Sequence, residues 1–173
     1  MMKTTKIKPA LLVIDTQNAS LKFIPDKDWE FALVRINYYI GMFREHDCPI
    51  IRIYHYSKER GPKKGTAGFE FAESVAVKPE DPMVIKSYMD AFNKTDLDKT
   101  LRGLGCNTLF ICGLSAAGCV LATWFGAFNH DYNAFLVKDA VVSHKPDYTE
   151  HIETIFEAVG MDVIKMALES TGE

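Results

Sequence analysis

Six short apolar runs, set apart by segments of helical spacing, constrain this chain more than any other feature. They are ALLVID (Ala10 to Asp15), IIRIYHY after Pro49, MVIK (Met83 to Lys86), TLFICG (Thr108 to Gly113), NAFLVK before Asp139, and MDVIKM near the C-terminus. TLFICG leaves no residue from Leu109 to Cys112 to face water, the pattern of a strand buried on both faces. Between the runs, Trp29, Leu33, Ile36, Ile40 and Phe43 recur at spacings of four and three, with Asp26 or Asp28 as a cap. Thr95 with Asp98 reads as a capping box for a helix that ends at glycine, and Ile152, Ile155, Phe156 and Val159 mark another helix starting near Asp147 and Glu150. FEFAESV reads as a further short helix, and the polar stretch 57–68 as a surface loop whose lysines are solvated. Strands alternating with helices imply right-handed crossovers. The predicted fold class is therefore α/β: three α/β/α layers around a six-stranded, mainly parallel sheet of Rossmann-like order, with MDVIKM as the sixth, edge strand.

The 173 residues fit one domain, and a chain of this size buries roughly 70% of its unfolded surface. A net charge of −3 without a basic block gives nucleic acid no footprint. The apolar run from Ala10 to Ile14 is too short for a signal peptide or a membrane span. Cys48, Cys106, Cys112 and Cys119 are then expected as reduced thiols in a cytoplasm, and the absence of CxxC or HExxH spacing argues against a structural zinc.

In doubly wound sheets ligands bind outside the carboxyl ends of the strands, where strand order reverses. Asp15, Lys86 and the loop before Cys119 all lie at predicted carboxyl ends. Ser115, Ala116, Ala117 and Gly118 are small enough for the backbone to approach a ligand, and Cys119 opens the next helix, where free N–H groups and the macrodipole favour a thiolate. A thiol, a carboxylate base and a cation are the set that nucleophilic catalysis by sulfur requires. Each alone has a plainer reading: a buried cysteine is usually a small hydrophobe, an acid after a strand a cap, a lysine a solvated charge. Cys112, inside the strand, keeps that plainer reading.

DTQN at Asp15 to Asn18, Lys86 with the segment YMDAFNKTDLDKTLRGLG from Tyr88, GLSAAGCV at Gly113 to Val120, and VKDAVVSH at Val137 to His144 together resemble the isochorismatase-like cysteine hydrolases, which include nicotinamidases and N-carbamoyl amidases. The resemblance implies a triad on Asp15, Lys86 and Cys119. It also implies a cis peptide between Leu114 and Ser115, and an oxyanion site from the backbone N–H groups of Ser115 and Cys119. The activity implied is cleavage of the C–N bond of a small amide or N-carbamoyl compound through a thioester. A homodimer or homotetramer is expected, with a small molecule as the only other partner.

Nicotinamidases carry an aspartate and histidines after the second strand that bind a metal; this chain has IRIYHYS there, so no metal and no other cofactor is expected. Gln17, Tyr54, His55, Tyr88 and Phe92 are the predicted pocket walls. Ala19 and Ser20 stand where many members are bulkier, and Asp90 and Gly118 depart from common residues, which makes nicotinamide a poor candidate. Two other readings compete. One is a vinyl-ether hydrolase of the isochorismatase type, against which Cys119 itself argues. The other is a catalytically silent, oligomeric binding protein, with Trp124, Phe125 and Phe128 read as core in preference to interface.

Overall fold

A computed structural model describes residues 6–59 and 61–171. The elements run β1 (Pro9–Ile14), α1 (Asn18–Leu21), α2 (Asp26–Glu45), β2 (Ile50–His55), β3 (Met83–Lys86), α3 (Leu97–Gly103), β4 (Thr108–Leu114), α4 (Leu121–Asn129), β5 (Asn133–Val142), α5 (Pro146–Ile155) and α6 (Met161–Glu169). The sheet order is β3-β2-β1-β4-β5 and all pairs are parallel. Strand order reverses between β1 and β4. Their register places Ile14 beside both Ile53 and Gly113, so the carboxyl ends of the central strands finish level.

The continuous apolar composition of β1 and β4 has the expected cause: every residue of both strands is buried, because helices cover both faces. On one face Leu11, Val13, Phe110 and Cys112 pack against Ile36, Ile40 and Phe43 of α2 and Ile164 and Leu168 of α6. On the other, Leu12, Ile14 and Ile111 pack against Leu97 and Leu101 of α3 and Ala127 of α4. Pro25 takes the cap position of α2, and Asp26 and Asp28 sit in its first turn, where they complement the helix dipole instead of capping it. At α3, Thr95 Oγ1 accepts the Leu97 N–H at 3.2 Å, while Asp98 turns away to pair with Arg102 at 3.0 Å.

Two predicted elements also give way. The sheet has five strands, not six, because MDVIKM is the start of α6. Ile164, Ala167 and Leu168 are buried while Met161, Val163 and Met166 are exposed, the i, i+3, i+4 spacing of a helix face. FEFAESV is not helical: Phe69 and Phe71 close over Tyr54 at ring separations of 5.1 and 4.3 Å, and Phe71 bridges to Gln17. Among the described residues, no helix is long and apolar enough to cross a membrane.

Candidate active site

Three carboxyl ends supply the charged centre. Asp15 follows β1 with φ 53°, a left-handed turn that aspartate tolerates better than most residues, and its backbone N–H donates to the Ile53 carbonyl at 2.9 Å. Lys86 ends β3 with its ammonium fully buried, and donates to Asp15 Oδ2 at 2.7 Å. The other oxygen of Asp15, Oδ1, is buried without a hydrogen-bond partner. Cys119 brings its sulfur to this carboxylate: donor atoms of Asp15, His55 and Cys119 lie within 4.8 Å of one another.

The sulfur arrives there through β4. Gly113 has φ 107°, and a Cβ on it would collide with the backbone of Ile14, so only glycine lets β4 pass so close to β1. The Leu114–Ser115 peptide is cis, and a wide turn, Ala116–Val120, follows with a kink at Gly118 (φ −130°, ψ −111°). The Gly118 and Val120 N–H groups both return to the Ser115 carbonyl, at 2.8 and 3.2 Å. Ser143, buried after β5, holds this turn from behind: its Oγ lies 2.9 Å from Ser115 Oγ and accepts the Ala117 N–H at 3.4 Å. Ser143 belongs to the segment VKDAVVSH, where neither spacing nor side-chain chemistry marks it out.

Electrostatics correct one expectation. Burial pushes the Cys119 thiol up to about 12, the Asp15 carboxylate pushes it in the same direction, and Lys86 opposes both. The helix terminus does not yield a standing thiolate; the resting sulfur keeps its proton, beside a carboxylate with a free oxygen to receive it. Burial, and then Lys86, hold His55 below the usual imidazole range, with Asp15 opposing. His55 is therefore neutral at pH 7, and its Nδ1, 3.5 Å from the Lys86 ammonium, is the acceptor nitrogen.

A family model described as the isochorismatase domain matches residues 9–167. The chain belongs to the isochorismatase family. One relative, a probable inactive nicotinamidase of Arabidopsis thaliana, is 31% identical, covering 80% of this chain and 82% of its own. N-carbamoylsarcosine amidase from Thermoplasma acidophilum is 26% identical and superposes with a TM-score of 0.75, covering 89% of this chain and 95% of its own. Pyrazinamidase of Pyrococcus horikoshii in complex with zinc is 27% identical with a TM-score of 0.77, over 89% of this chain and 99% of its own.

In this isochorismatase-family chain the centre opens into a cleft of about 1080 Å³. Of the five predicted pocket walls only His55 lines it. Gln17 is fully buried and clamps His55 from behind: its Nε2 donates to the carbonyls of His55 and Phe69 at 3.1 and 2.7 Å, and its Oε1 accepts the His55 N–H at 2.7 Å. Tyr54 points into the core beneath Phe69 and Phe71, because alternation along β2 sends it to the face opposite Ile53. Phe92 is buried against His130 and Tyr132. Tyr88 is exposed, taking a hydrogen bond from Lys94 at 3.0 Å. The walls are instead Ala19, Lys22, Phe23, Ile24, Lys63 and His144, with other members of the loops around them. Loop residues carry no periodicity, so the sequence offered no signal for them beyond the small Ala19. Trp124 is half-buried and donates to the Ala134 carbonyl at 3.1 Å, whereas Phe125 and Phe128 are exposed, against the reading of all three as core.

Asp15, His55 and Cys119 offer three metal donors on paper, but the set does not fit a divalent cation. A buried ammonium is already hydrogen-bonded to Asp15 at 2.7 Å and lies 3.5 Å from His55 Nδ1, so it occupies the place that a divalent ion would need.

Proposed function

We propose that the chain is a cysteine hydrolase of non-peptide C–N bonds, acting on a small amide or N-carbamoyl compound. One observation carries this reading: the Cys119 sulfur sits within 4.8 Å of a buried carboxylate whose second oxygen is already held by Lys86, at the mouth of a cleft. N-carbamoylsarcosine amidase among the structural relatives supports the reaction class.

In the first half-reaction the sulfur attacks the substrate carbonyl carbon while its proton passes to the free Oδ1 of Asp15. Because the resting thiol is protonated, the transfer accompanies or directly precedes attack, and no thiolate accumulates. The tetrahedral oxyanion falls to the N–H groups of Ser115 and Cys119, both on the cleft wall; removing one such donor typically raises a barrier by about 2.7–4 kcal/mol. The C–N bond then breaks, and the nitrogen leaves with the proton held on Asp15. Water next gives a proton to Asp15 and attacks the thioester, the C–S bond breaks, and the sulfur recovers the proton. Lys86 keeps its bond to Oδ2 throughout, so the carboxylate holds one orientation in all four proton transfers.

A screen of primary amides, N-carbamoyl compounds and ureido acids tests this, with Cys119→Ala as the blank. Turnover that disappears in the variant, with an adduct on Cys119 of the acyl mass (the substrate less its departing amine), is the expected result; turnover that survives in Cys119→Ala refutes it. One relative is named as probably inactive, which favours a second reading as a silent binding protein. No turnover, with tight binding of a panel member to the wild-type chain, would select that reading. We also propose a homodimer or homotetramer, for which the exposed Phe125 and Phe128 are the supporting observation.

A further inference from the structure

Lys86 brings three protons into a place closed to solvent. Its ammonium is fully buried, and an ammonium has three donors and no acceptor, so each proton needs a partner of its own. Asp15 Oδ2 takes one at 2.7 Å. Cys119 takes the second: against burial and the Asp15 charge, Lys86 draws the thiol down both by its own charge and by a hydrogen bond to the sulfur. His55 Nδ1, at 3.5 Å, is the third acceptor. Donor atoms of Asp15, His55 and Cys119 lie within 4.8 Å of one another, so the three groups surround one cation.

The imidazole has little freedom to turn away. Gln17 holds the His55 backbone on both sides, accepting its N–H at 2.7 Å and donating to its carbonyl at 3.1 Å. Gly61 lies over the ring: a Cβ built there would stand 3.4 Å from His55 Cδ2 and 2.6 Å from Ser57 Cβ, so glycine is what lets that loop lie so low. An ammonium facing Nδ1 excludes a proton from it, which puts the single N–H of the neutral ring on Nε2 and fixes the tautomer. Lys86, by contrast, stands on a flexible four-carbon stem. Held by Asp15 alone, its ammonium would be free to pivot about Oδ2 and leave the sulfur.

We propose that His55 is a positioning residue of this centre: its bare Nδ1 keeps the Lys86 ammonium on both Asp15 and Cys119, and supports that cation while Asp15 is protonated. In the resting state the Asp15 charge balances Lys86. Once Asp15 Oδ1 has accepted the thiol proton, the carboxyl is neutral and the negative charge has moved to the oxyanion at the turn, while the buried ammonium keeps its own charge. The imidazole lone pair then carries a larger share of the ammonium's stabilisation. The contact therefore favours the reacting state over the resting one, and its loss falls on kcat and not on KM. This consequence rests on the hydrolase reading above; the contact and the tautomer do not.

Two measurements test it. Long-range proton–nitrogen NMR spectra of the wild type at pH 7, with His55→Ala to identify the signals, are expected to show His55 as a single tautomer with its proton on Nε2. In the double variant Asp15→Asn with Lys86→Met, which removes both charges together, the pattern should relax toward a mixture of tautomers. A proton on Nδ1 in the wild type, or an unchanged tautomer in the double variant, overturns the contact; if the double variant does not fold, the wild-type spectrum decides alone. On a substrate from the screen, His55→Ala is expected to lower kcat about 10–100-fold with little change in KM. His55→Asn, whose side-chain oxygen stands near the place of Nδ1, should recover most of that loss, and His55→Gln, whose amide N–H stands near the place of Nε2, should not. An unchanged kcat in His55→Ala, a loss confined to KM, recovery that glutamine gives as well as asparagine, or recovery by neither overturns the positioning role and leaves the hydrolase reading intact. If the wild type cleaves no amide, the hydrolase reading fails, and the spectra alone decide whether His55 holds Lys86.

Discussion

Lys86→Met isolates the energetics of the buried centre. The ammonium is fully buried, the Asp15 side chain is 7% exposed, and the two meet at 2.7 Å, so removing the lysine leaves a carboxylate with neither water nor a counter-charge. Breaking such a pair from one side costs about 3–5 kcal/mol. At about 2–4 °C per kcal/mol for a chain of this length, the midpoint should fall by roughly 6–20 °C. Replacing both partners should restore much of that loss, because neither charge then remains buried alone. Asparagine is the right second substitution, since it tolerates the φ of 53° at position 15. The assay is thermal and urea unfolding at pH 7, followed by tryptophan fluorescence and circular dichroism, on wild type, Lys86→Met, Asp15→Asn and the double variant. A coupling of about 2 kcal/mol or more, with an unchanged denaturant slope, is expected. A loss below about 1 kcal/mol in Lys86→Met, or strictly additive singles, would show that the pair is solvated and would remove the basis for a dry, oriented carboxylate beside the sulfur.

Four further outcomes follow from three residues. With its thiol at about 12, Cys119 should react with iodoacetamide at pH 7 more slowly than a model thiol, and labelling at or above the model rate would mean a standing thiolate. The same elevation makes the folded state hold a proton that the unfolded chain releases near 9, so stability falls as pH rises from about 9 through about 12, by roughly 1.4 kcal/mol per unit; Cys119→Ala should remove that share of the alkaline loss in unfolding curves measured across the window. Gly113→Ala should destabilise by about 3 kcal/mol or more, since its φ of 107° and the Ile14 backbone leave no room for a Cβ, and a wild-type melting temperature would contradict the close approach of β1 and β4. Gln17→Ala orphans the His55 N–H and the His55 and Phe69 carbonyls, so about 2 kcal/mol or more of stability should be lost together with any turnover; retention of both would show that the clamp is dispensable.

The buried strands were legible because helices on both faces demand unbroken apolar runs, and TLFICG and the ALLVI of ALLVID, unlike MDVIKM, carry no charge inside the run. The convergence of Asp15, Lys86 and Cys119 was legible for a related reason: each follows a run whose end the sequence marks, and parallel strands of one sheet present those ends on one side. MDVIKM was misread because a six-residue window does not separate strand from helix; extended to Ala167 and Leu168, the burial period becomes helical.

By itself, the sequence determined the layer architecture and which side chains, Asp15, Lys86 and Cys119, lie at the ends of its strands, since both follow from local apolar pattern and side-chain chemistry. Tertiary structure decided the rest. Which face of β2 carries Tyr54, which loop residues wall the cleft, and whether the thiol is ionised depend on neighbours distant along the chain. The proton stays on Cys119 because desolvation and the Asp15 charge outweigh Lys86, a balance set by burial that no stretch of sequence contains.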